Sequence, residues 1–136
     1  MQCKMLALIT CAILCAFLHS AAGRAVEFAY LGCFVDGSPR DLNGLYGVSR
    51  IGPFGVGSST ASNSTAMSRE YCADVCSLGG FAYFGVQAGV QCFCGNSYGS
   101  HGAVAESNCG STCSGNAAQK CGGSWRNSVF ALTYLS

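Results

Sequence analysis

Residues 72–94 read CADVCSLGGFAYFGVQAGVQCFC, and the spacing of the four cysteines in this stretch decides the fold. Cys72 and Cys76 lie in a segment with helix signals: Ser68 as N-cap, Glu70 in the first turn where the dipole favours an acid, and Gly79-Gly80 as the stop. Four residues apart on a helix, they share one face with Val75 and are separated by about 6 Å along the axis. Cys92 and Cys94 fall in an alternating strand pattern, Val90–Cys94, on one face and about 6.6 Å apart. The two lengths nearly match, and each disulfide needs Cα atoms only ~5–6 Å apart. A helix lying along this strand therefore accepts two side-by-side bridges from Cys72 and Cys76 to Cys92 and Cys94. Geometry leaves open which bonds which.

Outward from this staple, Phe81–Val86 (FAYFGV) reads as a second strand, joined to Val90–Cys94 through the short loop Gln87-Ala88-Gly89. Val26–Asp36 (VEFAYLGCFVD) alternates as a first strand, with Val26, Phe28, Tyr30 and Phe34 on one face and Leu31, Cys33 and Val35 on the other. Ser128–Tyr134 (SVFALTY) closes the chain as a last strand beside the first. Between them, residues 37–66 are rich in Gly and Ser and read as a long loop, and Gly95–Arg126 is a second loop-rich stretch. Arg69 beside the cap opposes the helix dipole, so packing must fix the helix. The expected fold is a small disulfide-rich α+β domain: a twisted antiparallel sheet with one helix packed across it.

The chain opens with Lys4, an apolar run Met5–Leu18 and the small residues Ser20-Ala21-Ala22-Gly23. That order reads as a signal peptide over residues 1–23, leaving a domain at 24–136 that is secreted and extracellular. Met5–Leu18 spans about 21 Å as a helix, against a hydrocarbon core of ~30 Å, so no membrane span is expected after cleavage. Residues 24–136 carry six basic and six acidic side chains, a net charge of zero. A neutral domain releases few counterions, which argues against nucleic acid and acidic membranes as partners.

Eight cysteines remain after residue 23: Cys33, Cys72, Cys76, Cys92, Cys94, Cys109, Cys113 and Cys121. In a secreted chain this even number implies a disulfide framework. The competing zinc reading lacks a C-x-x-C knuckle and a pair of histidines, so no metal or other cofactor is expected. Asn63-Ser64-Thr65 is an N-glycosylation sequon, expected on an exposed loop.

Tyr30-Leu31-Gly32-Cys33-Phe34, Cys72-x3-Cys76, Tyr83-Phe84-Gly85, Cys92-Phe93-Cys94-Gly95-Asn96, Cys109-x3-Cys113, Cys121-Gly122-Gly123-Ser124 and Val129-Phe130 follow in order. Together they resemble a WSC domain, the module named for fungal cell-wall stress sensors, over a core of about residues 27–134. The resemblance implies a PAN/apple-like fold and the bridges Cys33–Cys109, Cys72–Cys92, Cys76–Cys94 and Cys113–Cys121. It also implies carbohydrate binding, with extracellular or cell-wall polysaccharide or glycoprotein glycans as partners. The alternative is a protein-interaction or self-associating adhesion domain. The Ser/Thr-rich stalk, second hydrophobic span and cytoplasmic tail of the sensors are not found after the domain, so mechanosensing is not expected.

Sugars stack on aromatic rings while amides and charged groups meet their hydroxyls, so aromatics in loops are the first candidates. Trp125, beside Arg126 and Asn127, reads either as a stacking platform or as a cover over a disulfide. Tyr98 and Asn96 follow Gly95 in a glycine-rich loop, although Asn96 also suits a turn cap. Tyr83 and Phe84 point to opposite faces of one strand, and Tyr83 is the one expected to meet solvent. Tyr46 and Phe54 are further candidates in the first long loop. No catalytic residue is assigned. His101 reads as a solvated loop residue, and several of the six carboxylates sit at turns or on the helix, so the two flanking carboxylates that glycoside hydrolysis requires are not expected.

Overall fold

The structure is a computed structural model that describes residues 25–57 and 60–136. The expected signal peptide lies outside the described residues. Strands β1 (Val26–Val35), β2 (Arg50–Ile51), β3 (Phe54–Gly55) and β4 (Ser62–Asn63) precede helix α1 (Arg69–Leu78). After the helix come β5 (Tyr83–Gln87), β6 (Gln91–Gly95), β7 (Ala103–Val104), a 3-10 turn at Glu106–Cys109, β8 (Thr112–Cys113), β9 (Asn116–Lys120) and β10 (Arg126–Tyr134). Six strands form one antiparallel sheet in the order β4-β6-β5-β10-β1-β7, with β2-β3 and β8-β9 as separate two-stranded ribbons. The last strand does lie beside the first. Among the described residues, no helix is long and apolar enough to cross a membrane.

The helix forms where the caps place it. Ser68 Oγ accepts a hydrogen bond from Tyr71 N (3.0 Å), and at the other end the Gly79 N–H donates to Cys76 O and the Gly80 N–H to Ser77 O. Cys72, Ala73, Val75 and Cys76 are buried against β5 and β6. Arg69 escapes the unfavourable dipole end: its guanidinium lies over the rings of Phe130 (5.1 Å) and Tyr30 (5.7 Å), and its Nε donates to Lys120 O. On this helix face of the sheet, Phe84 and Phe130 stack at 4.8 Å and Phe28 meets both edge-on.

All four disulfides form as the resemblance implies. Cys72–Cys92 and Cys76–Cys94 lie side by side, with Cα separations of 5.4 and 5.3 Å. Cys33–Cys109 joins residues 76 apart in sequence, and Cys113–Cys121 clips the β8-β9 ribbon. The Sγ atoms of Cys72, Cys76 and Cys92 lie within 4.8 Å of one another, a spacing that would suit a metal, but each is committed to a disulfide.

Three expectations need correction. The β1 pairing with β10 shifts register between Tyr30 and Gly32, where Gly32 takes φ +144°. This bulge inserts one residue, so Phe28 and Tyr30 stay on the helix face while Phe34 turns to the opposite, outer face. Strict alternation across Leu31 therefore misplaced Phe34, Cys33 and Val35. Second, residues 37–66 are not a plain surface loop: they contain β2, β3 and the edge strand β4, and they bury Leu42, Leu45 and Ala61. Third, the β5-β6 loop is Ala88–Val90, one residue later than expected. Ala88 and Gly89 both take positive φ, +53° and +79°, as the tight turn requires.

Candidate functional site

Among the described residues, no helix covers the outer face of the sheet. In its place the chain after β1 crosses as a strap, residues 36–45, and two glycines make room for it. A Cβ on Gly85 would come within 2.5 Å of Leu42 Cδ1, and one on Gly95 within 2.8 Å of Leu42 Cα. Leu42 thus seats directly on the sheet with Ala61, Phe93 and Val129. The glycines of the F-G-V and C-F-C-G segments are a packing requirement. Gly122 serves likewise at the other end: it takes φ +68°, and a Cβ there would meet Val86 O at 2.2 Å.

On one side of the strap stands Trp125. Its backbone is left-handed, φ +54°, a costly conformation for a bulky side chain. The neighbours hold it there. Asp36 N donates to Trp125 O (2.9 Å), and the Trp125 N–H donates to Gln87 Oε1 (3.0 Å) while Gln87 Nε2 donates to Asp36 Oδ2 (2.8 Å). Asp36 and Gln87 are both buried, and Asp36 also accepts from Gly37 N and pairs with Arg40. The Arg40 guanidinium lies between two rings, 4.7 Å from the Phe93 centroid and 4.6 Å from that of Trp125. Burial draws the Arg40 pKa down from its ordinary value. The indole is therefore backed by a fixed cation, and 52% of Trp125 is exposed.

On the other side is an aromatic group built from three elements. Tyr83 of β5 meets Tyr98 at 4.7 Å, and Tyr98 meets Phe34 of β1 at 5.2 Å. Phe34 and Tyr98, with Asp41 and Asn127, line a narrow cleft. Asp41 Oδ2 accepts from Ser100 N, which fixes the loop that carries Tyr98.

The expected site residues separate into these two groups and a remainder. Trp125 and Tyr98 are exposed, and Tyr83 is half-buried beside Tyr98 on the outer face, opposite the buried Phe84. Asn127 is buried and belongs to the Tyr98 cleft rather than to Trp125. Arg126 pairs with Val35 at the start of β10, and strand alternation sends it away from the face that Asn127 occupies. Its Nη1 donates to Trp125 O. The three residues 125–127 are thus not one polar loop. Asn96 Oδ1 accepts from Ala82 N (2.9 Å) and holds the entry to β5. Phe54 packs on Tyr71 beside the helix, away from the outer face, while Tyr46 is 80% exposed. His101 is half-buried, with Nε2 2.7 Å from Pro39 O, so it fastens the strap to the Tyr98 loop rather than standing in solvent. Arg40, Asp36 and Gln87 belong to the site in the structure without standing out in the sequence. Their only sequence signal is that a polar pair, Asp36 and Arg40, sits four apart in a loop.

Four of the six carboxylates, Asp36, Asp41, Glu70 and Glu106, carry structural bonds. Glu106 accepts from Tyr30 Oη at 2.7 Å, and burial, then this bond, pushes the Tyr30 pKa up to about 12. Glu70 accepts from Gln119 Nε2 at 2.8 Å, which holds its pKa below the ordinary value.

The model of the WSC domain matches residues 30–123. Kremen protein 1 of Mus musculus is 33% identical over 103 residues, which is 74% of this chain and 19% of that protein. A WSC domain-containing protein of Arthroderma benhamiae is 34% identical over 108 residues, 79% of this chain and 10% of that protein. Xylosyltransferase oxt of Drosophila melanogaster is 34% identical over 110 residues, 80% of this chain and 11% of that protein. The chain thus spans a fifth or less of the length of these relatives, and the residues that the family model matches hold the stapled helix and the strap but not β10. With the family model matched over residues 30–123 and four disulfides formed among the eight cysteines after residue 23, this chain belongs to the WSC domain family.

Proposed function

We propose that this domain is a secreted, non-catalytic carbohydrate-binding module that holds neutral polysaccharide or glycoprotein glycans on its outer face, with Trp125 as the principal platform. The observation that carries this reading is the Trp125 arrangement. A half-exposed indole is kept in a left-handed backbone by Asp36 and Gln87 and is backed by Arg40. Backbone strain that the surroundings enforce is concentrated at working sites. A rigid ring costs little further ordering when a sugar stacks on it. Tyr83 and Tyr98, across the strap, form a second contact area that supplies ring faces, with the buried Asn127 lining the cleft beside Tyr98. Membership of the WSC family supports carbohydrate as the ligand class, the zero net charge from residue 24 onward supports neutral sugars, and four disulfides support an oxidising extracellular setting. The bonded state of Asp36, Asp41, Glu70 and Glu106 supports a binding role over acid–base chemistry.

Pull-down on insoluble polysaccharides, followed by a glycan array, tests the reading. Binding by the unglycosylated domain and its loss in Trp125→Ala, with unfolding unchanged, supports it. Retained binding in that variant removes Trp125 from the site. The competing reading, a protein-interaction domain, draws on Leu78 at the end of α1, which is 56% exposed. It predicts self-association in light scattering that Leu78→Ser abolishes and Trp125→Ala leaves intact.

A further inference from the structure

The sequon Asn63-Ser64-Thr65 lies at the β4 edge of the sheet, with Asn63 and Thr65 both exposed. Its backbone is fixed: Ser64 N donates to Val90 O (2.9 Å), and Ser114 Oγ donates to Ser64 O (3.0 Å). Asn63, Ser64 and Thr65 line an open dish with Val90 and Gln91. Cross-strand pairing then sets the direction of the Asn63 side chain. Asn63 pairs with Gln91, Gln91 with Gln87, and Gln87 with Asn127, so these four amides form one row on one face. It is the outer face, because Ala61 and Phe93, in step with this row, pack there with Leu42.

Trp125 stands at the same row. Its N–H is bonded to Gln87, two strands from Asn63, or about 10 Å at ~4.8 Å per strand. Its ring shares the Arg40 guanidinium with Phe93 of β6, the strand next to β4, which brings it to the β4 side of Gln87. The first sugars of a glycan on Asn63 span that distance.

We propose that an N-linked glycan on Asn63 lies along this row onto Trp125 and occludes it, so that glycosylation controls access to the domain's own sugar site. The proposal rests on the reading of Trp125 as a sugar platform. In the modification, the Asn63 amide nitrogen gives up a proton and bonds the anomeric carbon of a lipid-diphosphate-linked oligosaccharide, and the lipid diphosphate leaves. Occlusion follows from tethering: a short flexible link presents the sugar at millimolar effective concentration, enough to fill a weak site without added affinity.

Trp125 is the sole tryptophan of the chain, so its fluorescence reads the platform directly. The full chain is produced in a eukaryotic secretory host beside Thr65→Ala, which keeps Asn63 and destroys the sequon. Acrylamide quenching is measured on both, and on the native protein after enzymatic removal of N-glycans. The expected result is a glycan mass on Asn63, with Trp125 emission shielded from quencher in the native protein. Quenching should rise to the Thr65→Ala level once the glycan is removed, and polysaccharide binding should rise with it. Absence of a glycan on Asn63, or equal quenching with and without it, overturns the proposal. Failure of the platform reading shows separately, as polysaccharide binding retained in Trp125→Ala whatever the quenching result.

Discussion

The two faces of the main sheet are covered by different means. The helix face is covered by α1, stapled to β6 by Cys72–Cys92 and Cys76–Cys94 and filled with stacked Phe84 and Phe130. The outer face is covered by a strap without a helix and without a disulfide to the strand beneath it. Leu42 seats over two glycines, and Asp36, Arg40 and Gln87 are bonded around Trp125. Covalent bracing on one face lets the other carry a strained, exposed aromatic site. On the reading proposed above, stability and recognition fall on opposite sides of one sheet.

That division can be broken from either side. The largest effect is expected from the staple: replacing Cys72 and Cys92 together by Ala opens the short loop that this bridge closes beside the intact Cys76–Cys94, about 2.5 kcal/mol in the chain-entropy model. Chemical denaturation of the variant should show that loss, with polysaccharide binding unchanged under conditions where it stays folded. Gly95→Ala attacks the strap instead. Its Cβ would press on Leu42 Cα, at a cost of about 1–3 kcal/mol, and binding should fall because Arg40 travels with the strap.

At Trp125 the two quantities separate. Trp125→Ala and Trp125→Gly should both abolish binding. Glycine tolerates the left-handed backbone, so the Gly variant should be the more stable of the two by about 1 kcal/mol in thermal melts. Equal stability would mean the turn carries no strain.

The smallest effect is in acid. Gln119 holds the Glu70 pKa below its ordinary 4.5, so this pairing contributes above the unfolded value and is lost as pH falls through the lowered folded one. Denaturation between pH 5 and pH 3 should therefore show a shallower decline in Gln119→Ala than in the native domain.

The same contrast explains what was legible in the sequence. The helix face declares itself through period: Ser68, the 72/76 and 92/94 spacings and the closing strand each follow from a repeat fixed by backbone geometry. The outer face has no such period. Phe34 reaches it only because a bulge at Leu31-Gly32 reverses alternation, and β4 is two residues long within a glycine- and serine-rich stretch. Arg40 joins the site through contacts with Phe93 and Trp125, far away in the chain. Trp125 and Tyr98 were found as aromatics in loops. Arg126 and Asn127 were grouped with Trp125 by adjacency, which a strand start undoes by sending neighbours to opposite faces.

The most direct test uses the sole tryptophan of unglycosylated domain. A soluble oligosaccharide that competes in the pull-down is titrated while Trp125 emission is followed. A saturable blue shift, with the midpoint found by competition, is the result this account predicts. Competition that saturates while the emission spectrum stays fixed would place the sugar elsewhere and contradict it.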